Sequence, residues 1–462
     1  MGMAGQVTCI SPIDGSVYAE RPVLSRDAAF EAAARARAAQ TGWAARSLAE
    51  RVALVRKGVA NVGAMNDEIV PELAWQMGRP VRYGGEFRGF DERAQYMAGI
   101  AEEALAPIVL EDSDAFRRYI AREPHGLVLV IAPWNYPYMT AINTVAPALI
   151  AGNAVLLKHA SQTPLVGERM ASAFHAAGIP EEVFGNVFLD HATTSDLIAA
   201  RAFDFVNFTG SVAGGQAIER AAAGTFTGLG LELGGKDPGY VCEDADLEAA
   251  AETLIDGAMF NSGQCCCGIE RIYVHERLFD GFVEKAVEIV NGYRLGNPLD
   301  PGTTLGPMAQ GRFADLVRAQ TAEAVAAGAR ALIDPARFPQ EGGAYLMPQI
   351  LVGVDHSMRV MREESFGPVV GIMPVAGDDE AITLMNDSDY GLTASIWTSD
   401  VARAEAIGAR IETGTVFMNR ADYLDPGLCW TGCKQTGRGG GLSVIGYHNL
   451  TRPKSYHLRK LT

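Results

Sequence analysis

The sequence has no long apolar run and no block of basic residues, and each absence excludes a class of protein. Its most apolar short stretch, GLVLVIAPW at 126–134, is interrupted by Pro133 and is far shorter than the roughly 20 residues that span a bilayer. The formal net charge is −16, and no Lys/Arg-rich run of five or more residues occurs, which disfavours nucleic acid as a partner. We therefore expect no membrane segment, no membrane partner and no nucleic-acid partner.

Cysteine is scarce, with seven in 462 residues. An odd number of cysteines in a long chain without a secretion signal predicts free thiols in a reducing compartment. The segment MGMAGQVTCI at 1–10 lacks the basic region and apolar stretch of a signal peptide, and Gln6 stands where a myristoylation motif has Ser or Thr. We expect a cytoplasmic location.

Three of the seven cysteines are consecutive, in GQCCCG at 263–268. Adjacent residues cannot converge on one tetrahedral metal ion, and no CxxC or HxxxH pattern lies nearby, so a metal site is disfavoured. The triplet therefore contains either a nucleophile or small buried residues. The triplet alone does not decide between these two interpretations.

The length favours two to four domains, and the apolar pattern indicates an α/β architecture. Residues 27–62 have the spacing of two amphipathic helices. Short apolar runs at 126–133, 153–159 and 203–210 are typical of buried strands and alternate with helical stretches such as 163–178, where Thr163 is the expected cap. This alternation predicts a doubly wound parallel sheet, and a second α/β section starts near Pro238, with Asp246 as an N-cap.

Two further stretches, 114–124 and 448–461, alternate polar and apolar residues as exposed strands do. We expect them to form sheet edges that another subunit covers.

The stretch GLELGGKD at 230–237 has the glycine and lysine spacing of a phosphate-binding P-loop. However, Asp237 replaces the Ser or Thr that would hold magnesium, and Glu232 would place a carboxylate among the phosphates. Binding of a nucleoside triphosphate is therefore disfavoured.

Five segments resemble, in this order, the signature segments of the NAD(P)-dependent aldehyde dehydrogenase superfamily: PWNYP at 133–137, FTGS at 208–211, LELGGKDP at 231–238, FNSGQCC at 260–266 and REESFGP at 362–368. The resemblance extends from near Ser11 to the tail. It implies an α/β fold with a Rossmann-like cofactor domain (1–112 and 125–235), an α/β catalytic domain (236–434) and a small β oligomerisation arm (113–124 and 435–462). It also implies a homodimer or homotetramer.

Three catalytic residues are implied by the same resemblance. The nucleophile falls on Cys266, whose thiolate would add to an aldehyde carbonyl, and Cys265 and Cys267 then have packing roles. Asn135 matches the amide that stabilises the oxyanion together with the backbone N–H of Cys266. Glu232 matches the general base that activates water, and its apolar neighbours favour a raised carboxyl pKa.

The cofactor segment is unusual, because no GxGxxG motif follows the first strand of the predicted sheet. Instead, FTGSVAGG at 208–215 joins a strand to a helix whose backbone N–H groups can meet a pyrophosphate. The resemblance implies NAD or NADP as the cofactor. Lys158 would bind the adenosine ribose, Glu364 the nicotinamide ribose, and Phe366 would flank the nicotinamide ring. The full set of matching cofactor-binding positions is Trp134, Lys158, Ser161, Gly210, Ser211, Gly215, Leu233, Glu364 and Phe366.

Three positions depart from the family pattern. Ser161 stands where NAD-preferring members often have a glutamate, which predicts that NADP+ is accepted. LCWTGCKQTGRG at 428–439 replaces the usual PFGG segment, with Trp430 as its bulky residue. Asn143 replaces a common aromatic residue, with Thr140 beside it, which predicts a polar substrate entrance.

The sequence therefore predicts an enzyme that oxidises a small-molecule aldehyde to a carboxylate with NAD(P)+, through a thiohemiacetal and then a thioester on Cys266. One alternative is a CoA-acylating semialdehyde dehydrogenase, although enzymes of that type usually lack a base at the position of Glu232. The other is a catalytically silent structural protein on the same scaffold, like the lens crystallins that resemble this family. The sequence does not identify the aldehyde.

Overall fold

A computed structural model describes residues 5–421 and 423–461 of the chain. The strands are β1 Gln6–Ile10, β2 Val17–Pro22, β3 Ile108–Asp112, β4 Phe116–Pro124, β5 Leu127–Ala132, β6 Ala154–His159, β7 Phe184–Asn186, β8 Phe205–Thr209, β9 Gly228–Glu232, β10 Asp237–Val241, β11 Ile269–His275, β12 Arg330–Ala331, β13 Gln349–Val352, β14 Val369–Val375, β15 Tyr390–Gly391, β16 Thr393–Trp397, β17 Thr415–Met418, β18 Cys433–Lys434, β19 Gly437–Arg438 and β20 Thr451–Arg459.

The α-helices are α1 Arg26–Ala44, α2 Leu48–Ala64, α3 Asn66–Met77, α4 Phe87–Leu105, α5 Pro137–Ile150, α6 Pro164–Ala177, α7 His191–Ala199, α8 Val212–Ala222, α9 Leu247–Met259, α10 Phe279–Asn291, α11 Gly311–Ala326, α12 Arg359–Arg362, α13 Asp378–Asn386, α14 Val401–Gly408 and α15 Ser443–Asn449. No helix within the described ranges is long and apolar enough to cross a membrane.

The first large sheet has the strand order β19-β9-β8-β5-β6-β7 and is parallel except for β19. Its central strand, β5, is buried along its whole length, because helices cover both faces. Leu127, Leu129 and Ile131 pack against α1, α7 and α8, while Val128 and Val130 pack against α2, α4, α5 and α6. The predicted doubly wound parallel sheet is confirmed.

The second large sheet has the order β12-β13-β14-β11-β10-β16-β17, and only β12 runs antiparallel to its neighbour. In β11, Ile272 and Val274 face the core beneath α9 and α10, and Tyr273 faces the opposite core beneath α13 and α14. The α/β class predicted for the whole chain is therefore confirmed.

A three-stranded antiparallel sheet with the order β20-β4-β3 lies apart from both large sheets. Strands β4 and β20 pair along nine residues, from Thr451 opposite Pro124 to Arg459 opposite Phe116. The expectation that both segments are strands is confirmed, but β4 occupies the middle of the sheet and is not an edge. The tail strand also begins later than expected, because His448 lies in the last turn of α15.

Two helix starts were expected from capping residues. Asp246 caps α9, since its side chain accepts a hydrogen bond from the backbone N–H of Ala249 at 3.1 Å. Thr163 precedes α6 as expected, but its hydroxyl lies 3.1 Å from Nδ1 of His159 and makes no capping hydrogen bond. The Thr163 hydroxyl therefore pairs with the buried imidazole of His159 and not with a backbone N–H group at the start of α6.

Candidate active site

The candidate active site is a cavity of about 530 Å³ at the carboxyl ends of β5, β8 and β9. This is where ligands bind in open parallel sheets. Nine of the predicted site residues line the cavity: Trp134, Asn135, Gly210, Ser211, Glu232, Leu233, Cys266, Glu364 and Phe366. The other three, Lys158, Ser161 and Gly215, lie outside its lining.

The cysteine triplet is preceded by three consecutive residues in the left-handed conformation: Asn261, Ser262 and Gly263, with φ of 55°, 57° and 70°. Such a run is unfavourable for residues other than glycine and persists only where the surroundings fix it. Ser262 donates to the carbonyl of Gly306 at 2.8 Å, and a Cβ on Gly263 would lie 2.2 Å from the backbone of Gly367. The FNSG sequence thus sets the path of the chain into the cysteines.

Gln264 joins this loop to the amide of Asn135. The side-chain oxygen of Gln264 accepts a hydrogen bond from the backbone N–H of Ala309 at 2.7 Å. The backbone carbonyl of Gln264 accepts one from Nδ2 of Asn135 at 3.2 Å. The Asn135 amide therefore lies next to the chain segment that carries Cys266. Because an amide nitrogen has two hydrogens, one N–H of Asn135 remains for a ligand.

A buried ion pair holds the backbone of Asn135. Arg79 donates to the carbonyl of Asn135 at 2.6 Å and forms an ion pair with Glu86 at 2.5 Å. Glu86 in turn accepts from the backbone N–H of Met139 at 2.7 Å, in the first turn of α5. Sequence reasoning missed both charged residues, because no motif at either position shows that they meet.

The three consecutive thiols have different environments. All three residues line the cavity, but Cys265 and Cys267 are buried with their Sγ atoms 3.5 Å apart, whereas Cys266 is half-buried. Hydrogen bonds from these two neighbouring thiols hold the pKa of Cys266 well below its ordinary value. By contrast, burial raises the pKa of Cys9 to about 12. Cys266 is thus the cysteine that combines access to the cavity with a stabilised thiolate.

Glu232 ends β9, and its carboxyl group lines the same cavity. Burial and the nearby charge of Cys266 raise the pKa of Glu232 from 4.5 to about 7, against the opposing effects of Thr209 and Arg93. Thr209 donates its hydroxyl hydrogen to Oε2 of Glu232 at 3.3 Å. A carboxyl group with this pKa can accept a proton near neutral pH.

The first turn of α8 reaches the cavity through FTGS. Ser211 caps the helix by accepting from the backbone N–H of Gly214 at 3.2 Å, which leaves the N–H groups of Val212 and Ala213 available to an anion. Gly215 lets the helix pack closely on β9, because a Cβ there would lie 2.6 Å from the side chain of Leu233. These residues fit the pyrophosphate of a dinucleotide.

Glu364 and Phe366 form the opposite wall. Oε1 of Glu364 accepts from the backbone N–H of Gly235 at 3.0 Å, and burial together with the charge of Glu270 raises the pKa of Glu364 to about 8. Phe366 has a left-handed φ of 51°, and its N–H donates to Glu270 at 2.8 Å. Its ring meets Trp134 edge-on, with the centroids 5.6 Å apart. This wall offers a carboxyl group for a ribose and a flat apolar surface for a ring.

The expected adenosine side lies beyond the cavity. Lys158 is half-buried near the end of β6, and Ser161 is exposed in the turn that follows. His159 is buried, with Nδ1 accepting from the backbone N–H of Ala160 at 3.0 Å, and burial lowers its pKa to about 4. His159 is therefore neutral and supplies no charge to a phosphate.

Two of the three departures from the family pattern, those at Asn143 and Trp430, lie at the cavity. Thr140, Asn143 and Trp430 all line it, together with Tyr423 and Leu424. Trp430 is fixed by two backbone hydrogen bonds with Gly441, at 2.9 and 2.8 Å. This part of the cavity is thus a mixed surface, apolar at Trp430 and polar at Thr140 and Asn143 of α5.

Comparisons with known proteins identify the family of the chain. Residues 2–456 match the model of the aldehyde dehydrogenase family. The NADP(+) succinate-semialdehyde dehydrogenase of Deinococcus radiodurans is 32% identical over 96% of this chain and 93% of its own length. An NADP-dependent glyceraldehyde-3-phosphate dehydrogenase from Bacillus halodurans, solved with NADP, has a TM-score of 0.93 at 31% identity and covers 99% of this chain and 96% of that chain.

The chain belongs to the aldehyde dehydrogenase family. It is an NAD(P)-dependent oxidoreductase that converts an aldehyde to the corresponding carboxylate.

Proposed function

We propose that the oxidation proceeds by the hydrolytic route, with Cys266 as the nucleophile and Glu232 as the base. The observation that carries this proposal is the presence in one cavity of a stabilised thiolate, a carboxyl group with a pKa of about 7 and an amide held beside the thiol. These are the three groups that addition to a carbonyl followed by hydrolysis requires.

In the first half of the reaction, the thiolate of Cys266 adds to the aldehyde carbon. The remaining N–H of Asn135 and the backbone N–H of Cys266 donate to the oxygen as it gains negative charge, and such a donor contributes about 2.7–4 kcal/mol to transition-state stabilisation. The residues around Ser211, Glu364 and Phe366 would hold NAD(P)+, which would supply the hydride acceptor for this carbon. Loss of the hydride gives a thioester on Cys266.

In the second half, Glu232 removes a proton from a water molecule, whose oxygen attacks the thioester carbonyl. The carbon–sulfur bond breaks, the carboxylate leaves and Cys266 is released as a thiolate. The presence of Glu232 in the cavity argues against the CoA-acylating alternative, in which a thiol takes the acyl group and no base is needed for water.

We further propose that the enzyme accepts NADP+. Ser161 is neutral and exposed three residues after Lys158, so no carboxylate at this position would repel a 2′-phosphate. The name of the Deinococcus relative specifies NADP(+), and the Bacillus structure contains NADP. The predicted roles of Trp134, Gly210, Ser211, Gly215, Leu233, Glu364 and Phe366 in cofactor binding belong to the same proposal.

We propose that oligomerisation occurs through the three-stranded sheet. Strand β3 exposes Ile108 and Val109 by 52% and 60%, and β20 is the other edge of the sheet. Pairing with a second copy would cover these groups in a homodimer or homotetramer. None of the seven cysteines, all of which lie in the described part of the chain, forms a disulfide bond, which supports a cytoplasmic location.

Intact-protein mass spectrometry of Glu232→Gln tests the hydrolytic route. After mixing with aldehyde and NAD(P)+, the variant should accumulate an acyl adduct, and the double variant Glu232→Gln/Cys266→Ala should carry none. If Glu232→Gln turned over aldehyde at the wild-type rate, another residue would have to be the base.

A further inference from the structure

Arg93 is the one cationic side chain among the described residues that line the cavity. It lies on α4 and is half-buried. Its Nη1 donates to the carbonyl of Met139 at 3.1 Å and to Oδ1 of Asn143 at 3.4 Å. No described residue accepts a hydrogen bond from its Nε or Nη2, so these donors are available to a ligand in the cavity that Arg93 lines.

The carboxylates around Arg93 do not neutralise it. None in the described part of the chain lies within ion-pair distance. Glu86 is paired with Arg79, and Glu92 is exposed at the rim, where it accepts from the hydroxyl of Tyr423 at 2.9 Å. A partly buried guanidinium without a counter-ion is costly, and an anionic ligand removes that cost.

The guanidinium is also close to the reacting groups. Burial lowers the pKa of Arg93, while the charges of Glu86, Cys267, Cys266 and Glu232 oppose that shift. Its two acceptors, Met139 and Asn143, lie about one turn apart near the start of α5, which begins two residues after Asn135. A substrate whose carbonyl lies beside Asn135 can therefore extend along the start of α5 toward Arg93 within one cavity.

We infer that Arg93 binds a carboxylate at the far end of the substrate, and that the substrate class is short aldehydes with a terminal carboxylate. This inference rests on the proposed function, because it takes Cys266 and Asn135 as the position of the carbonyl. Asn143 fixes one guanidinium nitrogen, and the two free donors, Nε and Nη2, lie on one edge that matches both oxygens of a carboxylate. Asn143, from which a polar substrate entrance was predicted, thus holds the Arg93 side chain in position.

Three aldehydes of matched length distinguish the possibilities: 4-oxobutanoate, its neutral methyl ester and 4-aminobutanal. The wild-type enzyme should have its highest kcat/KM with 4-oxobutanoate. In Arg93→Gln, the ratio of kcat/KM for 4-oxobutanoate over the ester should fall roughly 10- to 100-fold, mainly through KM, because hydrogen bonds to a charged group are lost. Arg93→Lys should retain part of the preference, since it keeps the charge and loses the two-pronged geometry.

Arg88→Gln is the matched control, because Arg88 is exposed on the same helix and does not line the cavity. Succinate should inhibit ester oxidation by the wild-type enzyme and by Arg88→Gln, but at least tenfold less strongly in Arg93→Gln. A change of less than tenfold in the substrate ratio, or a wild-type preference for the ester or the amine, would overturn the inference. If the wild-type enzyme oxidised the ester but Glu232→Gln formed no acyl adduct on Cys266 with it, the proposed route would fail instead.

Discussion

Replacing Glu232 by Gln should stabilise the protein at alkaline pH while it slows turnover. The folded-state pKa of about 7 lies above the ordinary 4.5, so the folded protein binds more protons than the unfolded chain between these values. Stability therefore falls as the pH rises from 4.5 to 7, and the loss persists above pH 7. At about 1.36 kcal/mol for each pH unit, the loss reaches roughly 3 kcal/mol, which is an upper limit for a half-buried group. Gln has nearly the same shape and no charge to desolvate.

Equilibrium denaturation at pH 5 and pH 8 measures this effect. Glu232→Gln should be more stable than wild type at pH 8, by up to about 3 kcal/mol, and the difference should shrink at pH 5. Glu102→Gln is the control, because Glu102 is exposed on α4 and makes no ion pair in the described structure. A difference between Glu232→Gln and wild type that is equal at both pH values would refute the reasoning, because it would not come from ionisation of this carboxyl group.

The remaining predictions concern the nucleophile, the cofactor and assembly. Cys266→Ala should abolish aldehyde oxidation while cofactor binding, measured by fluorescence titration, persists; appreciable turnover would contradict the mechanism. Ser161→Glu should shift the ratio of kcat/KM values from NADP+ toward NAD+ by at least about tenfold, through charge repulsion of the 2′-phosphate; an unchanged ratio would place cofactor discrimination elsewhere. Removing residues 448–461 should lower the mass measured by light scattering to that of a smaller assembly, and a full-length protein that is already monomeric would refute this expectation.

The sequence predicted the parallel sheet well because its strands are unusually clear. Apolar runs at 126–133, 153–159 and 203–210 match β5, β6 and β8 to within two residues, since strands buried on both faces need no polar positions. The end of the chain was harder to predict. Polar and apolar residues alternate from His448 onward, yet the first two of these residues belong to α15, so a helix end and a strand start share one pattern.

The supporting network of the site could not be predicted in this way. Arg79 is hydrogen-bonded to Asn135, 56 residues later in the sequence, and to Asn261, 182 residues later. Only the fold brings these residues together. The position of the Arg93 guanidinium has the same origin, because α4 brings it to a cavity whose other walls come from distant segments. Local patterns identify groups that react; the groups that hold them are determined by three-dimensional packing.

The flanking cysteines are where the structure extends the sequence interpretation furthest. Packing roles were expected for Cys265 and Cys267, but their thiols also stabilise the thiolate of Cys266 by hydrogen bonding. Cys267→Ala should therefore raise the pKa of Cys266, which the pH dependence of iodoacetamide labelling measures, and Cys267→Ser should keep it lower than Ala does because a hydroxyl still donates. Cys9→Ala is the control, since Cys9 is buried far from the cavity lining. If labelling of Cys266 follows the same pH curve in the Ala and Ser variants as in wild type, the neighbouring thiol has only a packing role.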